Sequence, residues 1–281
     1  MMRGILTAVI GVFLSSVISA ADAADTKRIT MEPACDQVPG HAALKAALAA
    51  ARITENGGFN LDMWGAIVNR DGVVCAVAFT GSDRGSQWPG SRVIAAQKAH
   101  TANAFSLPSL ALSTANLWAP TQPGGTLFGL QESNPVDPEA AYKGPFHHYG
   151  TAEDPMAGKR VGGINVFGGG LALYNKNKVL VGAIGVSGDT SCADHNIAWR
   201  ARNNLQLDYV PAGVSGDAER PDNINYIRPG SGPSLANDFS HPICTIAGAD
   251  NVSRISADLP AITSQGVAVK DSGRSSSAKK E

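Results

Sequence analysis

Val179 to Arg202 reads VLVGAIGVSGDTSCADHNIAWRAR. An apolar β-type run from Val179 to Val186 passes through a glycine-rich bend into a helix-forming segment with Asp194, His195 and Trp199. Upstream lie a polar turn, Asn175 to Lys178, and another β run, Leu171 to Tyr174, so the strand before the bend is the second arm of a hairpin. That context argues against a dinucleotide-binding turn, which belongs to a βαβ unit; Gly182, Gly185 and Gly188 also fall as G-x-x-G-x-x-G, not as the fingerprint spacing. No Lys-Ser/Thr ending makes it a P-loop. A nucleophile elbow needs G-x-S-x-G, whereas Gly185-Val186-Ser187-Gly188-Asp189 brings the second glycine one place early, and nothing downstream completes a triad. Glycines here permit tight turning and close packing.

Working outward, MWGAIVNRDGVVCAVAF (Met63 to Phe79) gives two β runs around Asn69-Arg70-Asp71-Gly72, a second hairpin. HAALKAALAAAR (His41 to Arg52) is composed of strong helix formers and is stopped by Asn56-Gly57-Gly58. SRVIAAQKAHTANAF predicts a helix from Ser91, read as its N-cap, to about Phe105. A shorter helix is expected over Ala111 to Trp118, and a last one from Ala193 to about Leu205. From 119 to about 160 periodicity disappears among prolines, glycines and acidic residues, which marks an insertion. Helix, hairpin, helix or helix pair, hairpin, helix is an α+β order: an antiparallel sheet with helices on its faces.

At the amino end Met1-Met2-Arg3, the apolar Gly4 to Ile18 and Ala21-Asp22-Ala23 read as a signal peptide over residues 1–23, which predicts a periplasmic or secreted protein. No later segment is long and apolar enough to span a bilayer. With 23 basic and 24 acidic residues and a net charge of −1, the chain lacks the footprint of a nucleic-acid binder. The globular domain is expected over 24–210, an irregular extension over 211–268 and a disordered Ser- and Lys-rich tail over 269–281.

The four cysteines, Cys35, Cys75, Cys192 and Cys244, have neither the close spacing of a zinc or redox pair nor a C-x-x-C-H haem attachment. In an oxidising compartment they predict disulfides, with three pairings open. Cys192 lies at the bend and Cys244 in an irregular tail that needs tethering, so Cys192–Cys244 is expected, a long loop whose closure is worth roughly 4 kcal/mol. Cys35 and Cys75 are the complementary pair, although the β run around Cys75 also suits a buried free thiol.

Among candidate ligand residues, His195 and Trp199 are four apart on one helix face. Asp194 also reads as a plain helix-terminal carboxylate, and His195 as a core imidazole. Lys98, Thr101 and Phe105 share a face of their helix, with His100 turned about 100° from Thr101. His41 is another lone imidazole, and His147-His148 reads as a solvated loop pair. None has the spacing of a known metal motif.

The segments WGAIVNRDGVVCAVAF, SRVIAAQKAHTANAF with the nearby LST, and GGGLALYNKNKVLVGAIGVSGDTSCADHNIAW resemble the GlcG/HbpS-like haem-binding family, related to the C-terminal domain of PduO-type adenosyltransferases. The likeness covers roughly residues 40 to 205 apart from the insertion, and VGAIGVSGD followed by DH-x-IA is its most specific part. It implies a profilin-like or roadblock-like α/β sandwich, assembly as a homo-oligomer, and noncovalent haem b or a related tetrapyrrole. Some relatives are described as haem-degrading. Axial imidazole or threonine oxygen is proposed in the family; here His195, which departs from the Asp-Glu that relatives tend to carry, leads because it follows the glycine bend beside Trp199, then His100, with Thr101 and His41 behind them. Lys98 or Arg92 would face propionates, and Phe105 and Trp199 the macrocycle. On this reading the glycine bend shapes a ligand slot or subunit contact. A small-molecule enzyme using the same slot and a scaffold without cofactor are the competing expectations.

Overall fold

The computed structural model describes residues 35–227, 239–244 and 252–264. The expected signal peptide and the 269–281 tail lie outside them. Both hairpins form where the sequence places them, and each turn is closed by an asparagine. Asn69 Oδ1 accepts from the backbone N–H groups of Asp71 and Val73, both at 3.0 Å, between β1 (Trp64–Asn69) and β2 (Val74–Phe79). Asn175 Oδ1 does the same for Asn177 (2.9 Å) and Val179 (3.1 Å), between β3 (Gly170–Tyr174) and β4 (Leu180–Ser187). An Asx side chain that mimics a backbone turn explains both.

The hairpins join through β1 and β4, paired antiparallel from Trp64↔Ser187 to Asn69↔Gly182, giving the order β2-β1-β4-β3. Helix α1 (His41–Arg52) and helix α4 (Ser191–Asn204; α3 is given below) cover one face. Leu44, Leu48, Ile197 and Trp199 pack there on Ile67, Leu171, Leu173 and Ile184. Helix α2 (Ser91–Phe105) covers the other, with Val93, Ala95 and Ala99 on Ala66, Val68 and Ala183. The fold is therefore α+β, a four-stranded antiparallel sheet between helices. A register shift after Leu173 lets Val181 join Leu171 and Leu173 on the α1/α4 face.

Glycine sets how close α2 comes. Gly170 and Gly185 are cross-strand partners, and a Cβ at Gly185 would collide with the Ala95 carbonyl, one at Gly170 with the Lys98 carbonyl. The helix backbone rests directly on the strands. Gly182 and Gly188 would likewise strike the Val68 and Asp62 carbonyls. The bend is thus filled by the chain's own backbone, a correction to the slot expected there.

Local corrections are small. Ser91 is the first residue of α2, capped by Gly90 with no side-chain bond. Ala111 to Trp118 tightens to a 3₁₀ turn, Thr114–Leu117, closed by a Ser113/Asn116 capping box. Helix α4 begins at Thr190, whose hydroxyl caps Ala193 N.

The residues after 119 include α3 (Pro138–Tyr142), and Ala140, Ala141, Met156 and Val161 are buried against α2. Arg92 fixes this segment: its guanidinium pairs bidentately with buried Asp154 and donates to the Ala141 carbonyl at 2.7 Å. The residues after α4 are held by Arg202, paired bidentately with Asp222 at 2.5 and 2.9 Å. Both expected disulfides are present, Cys35–Cys75 and Cys192–Cys244. No described helix is long and apolar enough to cross a membrane.

Gly185→Ala is expected to lift α2 from β4 and lower stability by about 1–3 kcal/mol, the cost of overpacking. The drop in the urea midpoint at unchanged m-value is the readout.

Candidate functional site

The residues nominated from the sequence do not converge. Lys98 runs past the end of β4 and donates to Asp194 Oδ2 at 2.7 Å and to the Val186 carbonyl at 3.1 Å, with both side chains 2% exposed. Asp194, also bonded by Asp189 N at 2.9 Å, is half of a buried ion pair rather than a terminal cap. The run Gly168-Gly169-Gly170 makes room for it, since a Cβ at Gly169 would stand 3.2 Å from Lys98 Nζ and 3.1 Å from Asp194 Cβ. Burial raises the Asp194 pKa to about 6, against the pull of Lys98.

Thr101 is buried, its hydroxyl donating to Gln97 O at 2.8 Å and accepting from Asn165 N at 2.9 Å. Phe105 packs with Leu112, Leu117, Ile164 and Val166. His195 is buried under Asn223, whose Oδ1 lies 3.1 Å from Nε2 and also accepts from Ile224 N and Ser256 Oγ. Nε2 therefore carries the proton, and Nδ1 is a buried lone pair without a partner among the described residues. Trp199, its ring 6.1 Å from that of His195, donates to the Pro260 carbonyl at 2.9 Å. His41 Nε2 lies 3.0 Å from Gly150 O. His100, half-buried beside Gly72, has no partner for Nδ1 among the described residues, and burial lowers its pKa. Arg92 is committed to Asp154.

An open cleft of about 720 Å³ lies elsewhere, between the 83–90 loop, the start of α2 and the 142–149 segment. Its wall includes Trp64, Arg84, Arg92, Tyr142, Phe146 and Tyr149. The Asp154–Arg92 pair positions it: the Arg92 guanidinium lies flat on Tyr149, 3.6 Å from the ring centre, and Tyr149 Oη donates to Tyr142 O at 2.7 Å. Exposed Arg84 stands 4.6 Å over Phe146. Tyr142 and Phe146 are 59% and 60% exposed, and Trp64 has an indole N–H without a partner among the described residues. The cleft thus combines exposed aromatic rings with one exposed guanidinium, Arg84, beside the Asp83 carboxylate. Arg92 alone was named beforehand. The available signal was three aromatics within AYKGPFHHYG, in a chain only 6% aromatic.

The profile of one protein family, described as "Haem degrading protein HbpS-like", matches residues 40–203. Among solved structures the chain is similar to the PduOC:heme complex, with 21% identity over 59% of this chain and 91% of that one and a TM-score of 0.41. It is similar also to Klebsiella pneumoniae ORFY (24%, 59% and 90%, TM-score 0.39) and to HbpS (17%, 61% and 88%, TM-score 0.37). No curated protein matches the chain.

Two outcomes follow from the buried charges. Lys98→Met strands Asp194 and should cost about 3–5 kcal/mol, while Lys98→Met with Asp194→Leu should recover much of it; chemical denaturation of both variants is the check. Burial lowers the His195 pKa from 6.5 to about 3, so the unfolded chain takes up a proton that the fold refuses. Stability attributable to His195 is full above 6.5 and falls on acidification toward 3, by up to about 1.4 kcal/mol per pH unit. Asp194, raised by burial, acts in the opposite sense. From about pH 7 to about pH 4, urea midpoints should therefore fall less on acidification in His195→Gln than in the parent.

Proposed function

Because this chain belongs to the HbpS-like haem-degrading protein family, we propose that it is an exported protein that binds haem b noncovalently in the cleft beside α2. The observation that supports this most is the pairing of solvent-facing rings, Tyr142 and Phe146, with the exposed guanidinium of Arg84 on one concave wall. Haem when bound supplies a redox-active iron and two carboxylates. Toward it, the rings of Phe146 and Tyr149 would stack and exclude water, and Arg84 would pair with a carboxylate. The cleft wall fits the macrocycle and its acid groups, and the donors it offers an iron are the Tyr142 and Tyr149 phenols.

Of the donors nominated from the sequence, His100 is half-buried, although its Nδ1 is itself enclosed. His195 and Thr101 would reach a ligand only if the core opened. Two disulfides suit an oxidising compartment, in keeping with export. Homo-oligomer assembly belongs to the same proposal, although the chain covers part of each sheet edge itself. Val74 N bonds Lys159 O at 2.8 Å beside β2, and Tyr174 N bonds Leu207 O at 2.8 Å beside β3.

Haemin titrated into the purified chain should give a shifted Soret band that saturates. Arg84→Ala and Phe146→Ala should each weaken binding about tenfold, or ~1.4 kcal/mol. Cleft variants that bind like the parent while His100→Ala or Thr101→Ala loses the band would move the site to α2. Absence of a saturable shift in the parent sinks haem binding. Light scattering that finds a monomer at micromolar concentration removes the oligomer.

A further inference from the structure

Away from the cleft, three metal-preferring donors meet at the start of α4. The Sγ atoms of Cys192 and Cys244 and a ring nitrogen of His241 all lie within 4.8 Å of one another. In the present structure the sulfurs are bonded to each other.

His241 lies on a two-residue strand, β6 (Ser240–His241), paired parallel with β5 (Asn225–Tyr226), and is 1% exposed. Its Nδ1 is 2.7 Å from the Pro242 carbonyl. A carbonyl only accepts, so Nδ1 holds the proton and Nε2 presents a lone pair, which has no partner among the described residues. An imidazole bonded through Nδ1–H to a backbone carbonyl, its other nitrogen bare and buried, has the tautomer of many metal-ligating histidines.

The sulfurs are prepared as well. Cys244 N–H points at Cys192 Sγ (3.2 Å) and Cys192 N–H at Cys244 Sγ (3.3 Å), with Ser191 Oγ 3.4 Å from the latter. The Cys192 amide belongs to the first turn of the 14-residue α4. Donors and a helix terminus aimed at sulfur favour a thiolate over a neutral disulfide. Cys244 is half-buried, which gives a reductant access.

We propose that the Cys192–Cys244 bridge, once reduced, forms with His241 a site for zinc or a similar thiolate-preferring divalent cation, with a fourth position left for water. The reductant is an external dithiol. One of its thiolates attacks Cys244 Sγ, the S–S bond breaks and Cys192 leaves as thiolate; the second thiol then releases Cys244, and the dithiol departs as its own disulfide. The cation replaces the thiol protons. Metal–sulfur and metal–nitrogen bonds of about 2.3 and 2.0 Å set the donors roughly 3.5–3.8 Å apart, so the sulfurs separate from their bonded distance. The cation would keep the extension tethered after the covalent link is cut.

The test uses the full chain carrying Cys35→Ser and Cys75→Ser, reduced anaerobically with a phosphine and titrated with cobalt(II), then zinc(II). Expected are a thiolate-to-cobalt charge-transfer band at one cobalt per chain, its displacement by zinc, and no band in the oxidised chain. With near-UV circular dichroism matching the parent's, His241→Gln should weaken cobalt binding by at least about tenfold. A reduced chain without the band overturns the proposal, as does a His241→Gln variant of unchanged affinity and spectrum. If the double serine background does not fold, the four-cysteine chain is titrated with Cys192→Ser as its control, and equal bands in the two overturn it equally. Haem binding at the cleft enters none of these readouts.

Discussion

One buried charge pair joins the two layers of this molecule. Lys98 belongs to the helix on one face of the sheet and Asp194 to a helix on the other, and they meet beyond the end of β4. An ammonium can cross only where the sheet has no side chain, and Gly168-Gly169-Gly170 supplies that gap at the entry to β3. The pair is fully desolvated, so its value lies less in net stability than in the cost of any packing that leaves either charge alone. It fixes how both helices sit on the strands, and the direct seating of α2 on Gly185 follows from the same geometry.

Two further buried pairs repeat this logic outward. Arg92 on α2 reaches Asp154 and fastens the 119–160 segment; Arg202 on α4 reaches Asp222 and fastens the chain after residue 205. Each guanidinium also stacks on an aromatic ring, Tyr149 and Trp199 respectively. The appended segments are thus docked by charge and ring contacts on a family-type sandwich. The aromatic cleft is a product of that docking, because Arg92 and Asp154 together hold Tyr149 in its wall.

Residues that looked chemical often turn out to be structural here. His195 and Thr101 are bonded on the inside, and Lys98 and Arg92 each have a carboxylate. Residue type and spacing identify a side chain able to ligate, and burial decides what it meets. Conversely Tyr142, Phe146 and Tyr149 sat in a stretch without periodicity, where nothing in the pattern says which ring faces a cavity.

By itself the sequence determined the elements: two hairpins from β-type runs around polar turns, three long helices from helix-forming runs, an α+β order, and the expectation of a Cys192–Cys244 bridge, with Cys35 and Cys75 left as its complement. These follow from interactions within a few residues, or, for the disulfides, from which segments need tying. Only the tertiary structure decided that β1 pairs with β4, that Lys98 meets Asp194 across 96 positions and Arg92 meets Asp154 across 62, and that His241 lies against the Cys192–Cys244 bridge. Such partners are chosen when the whole chain closes and every buried charge must find an opposite one, a condition no local pattern records.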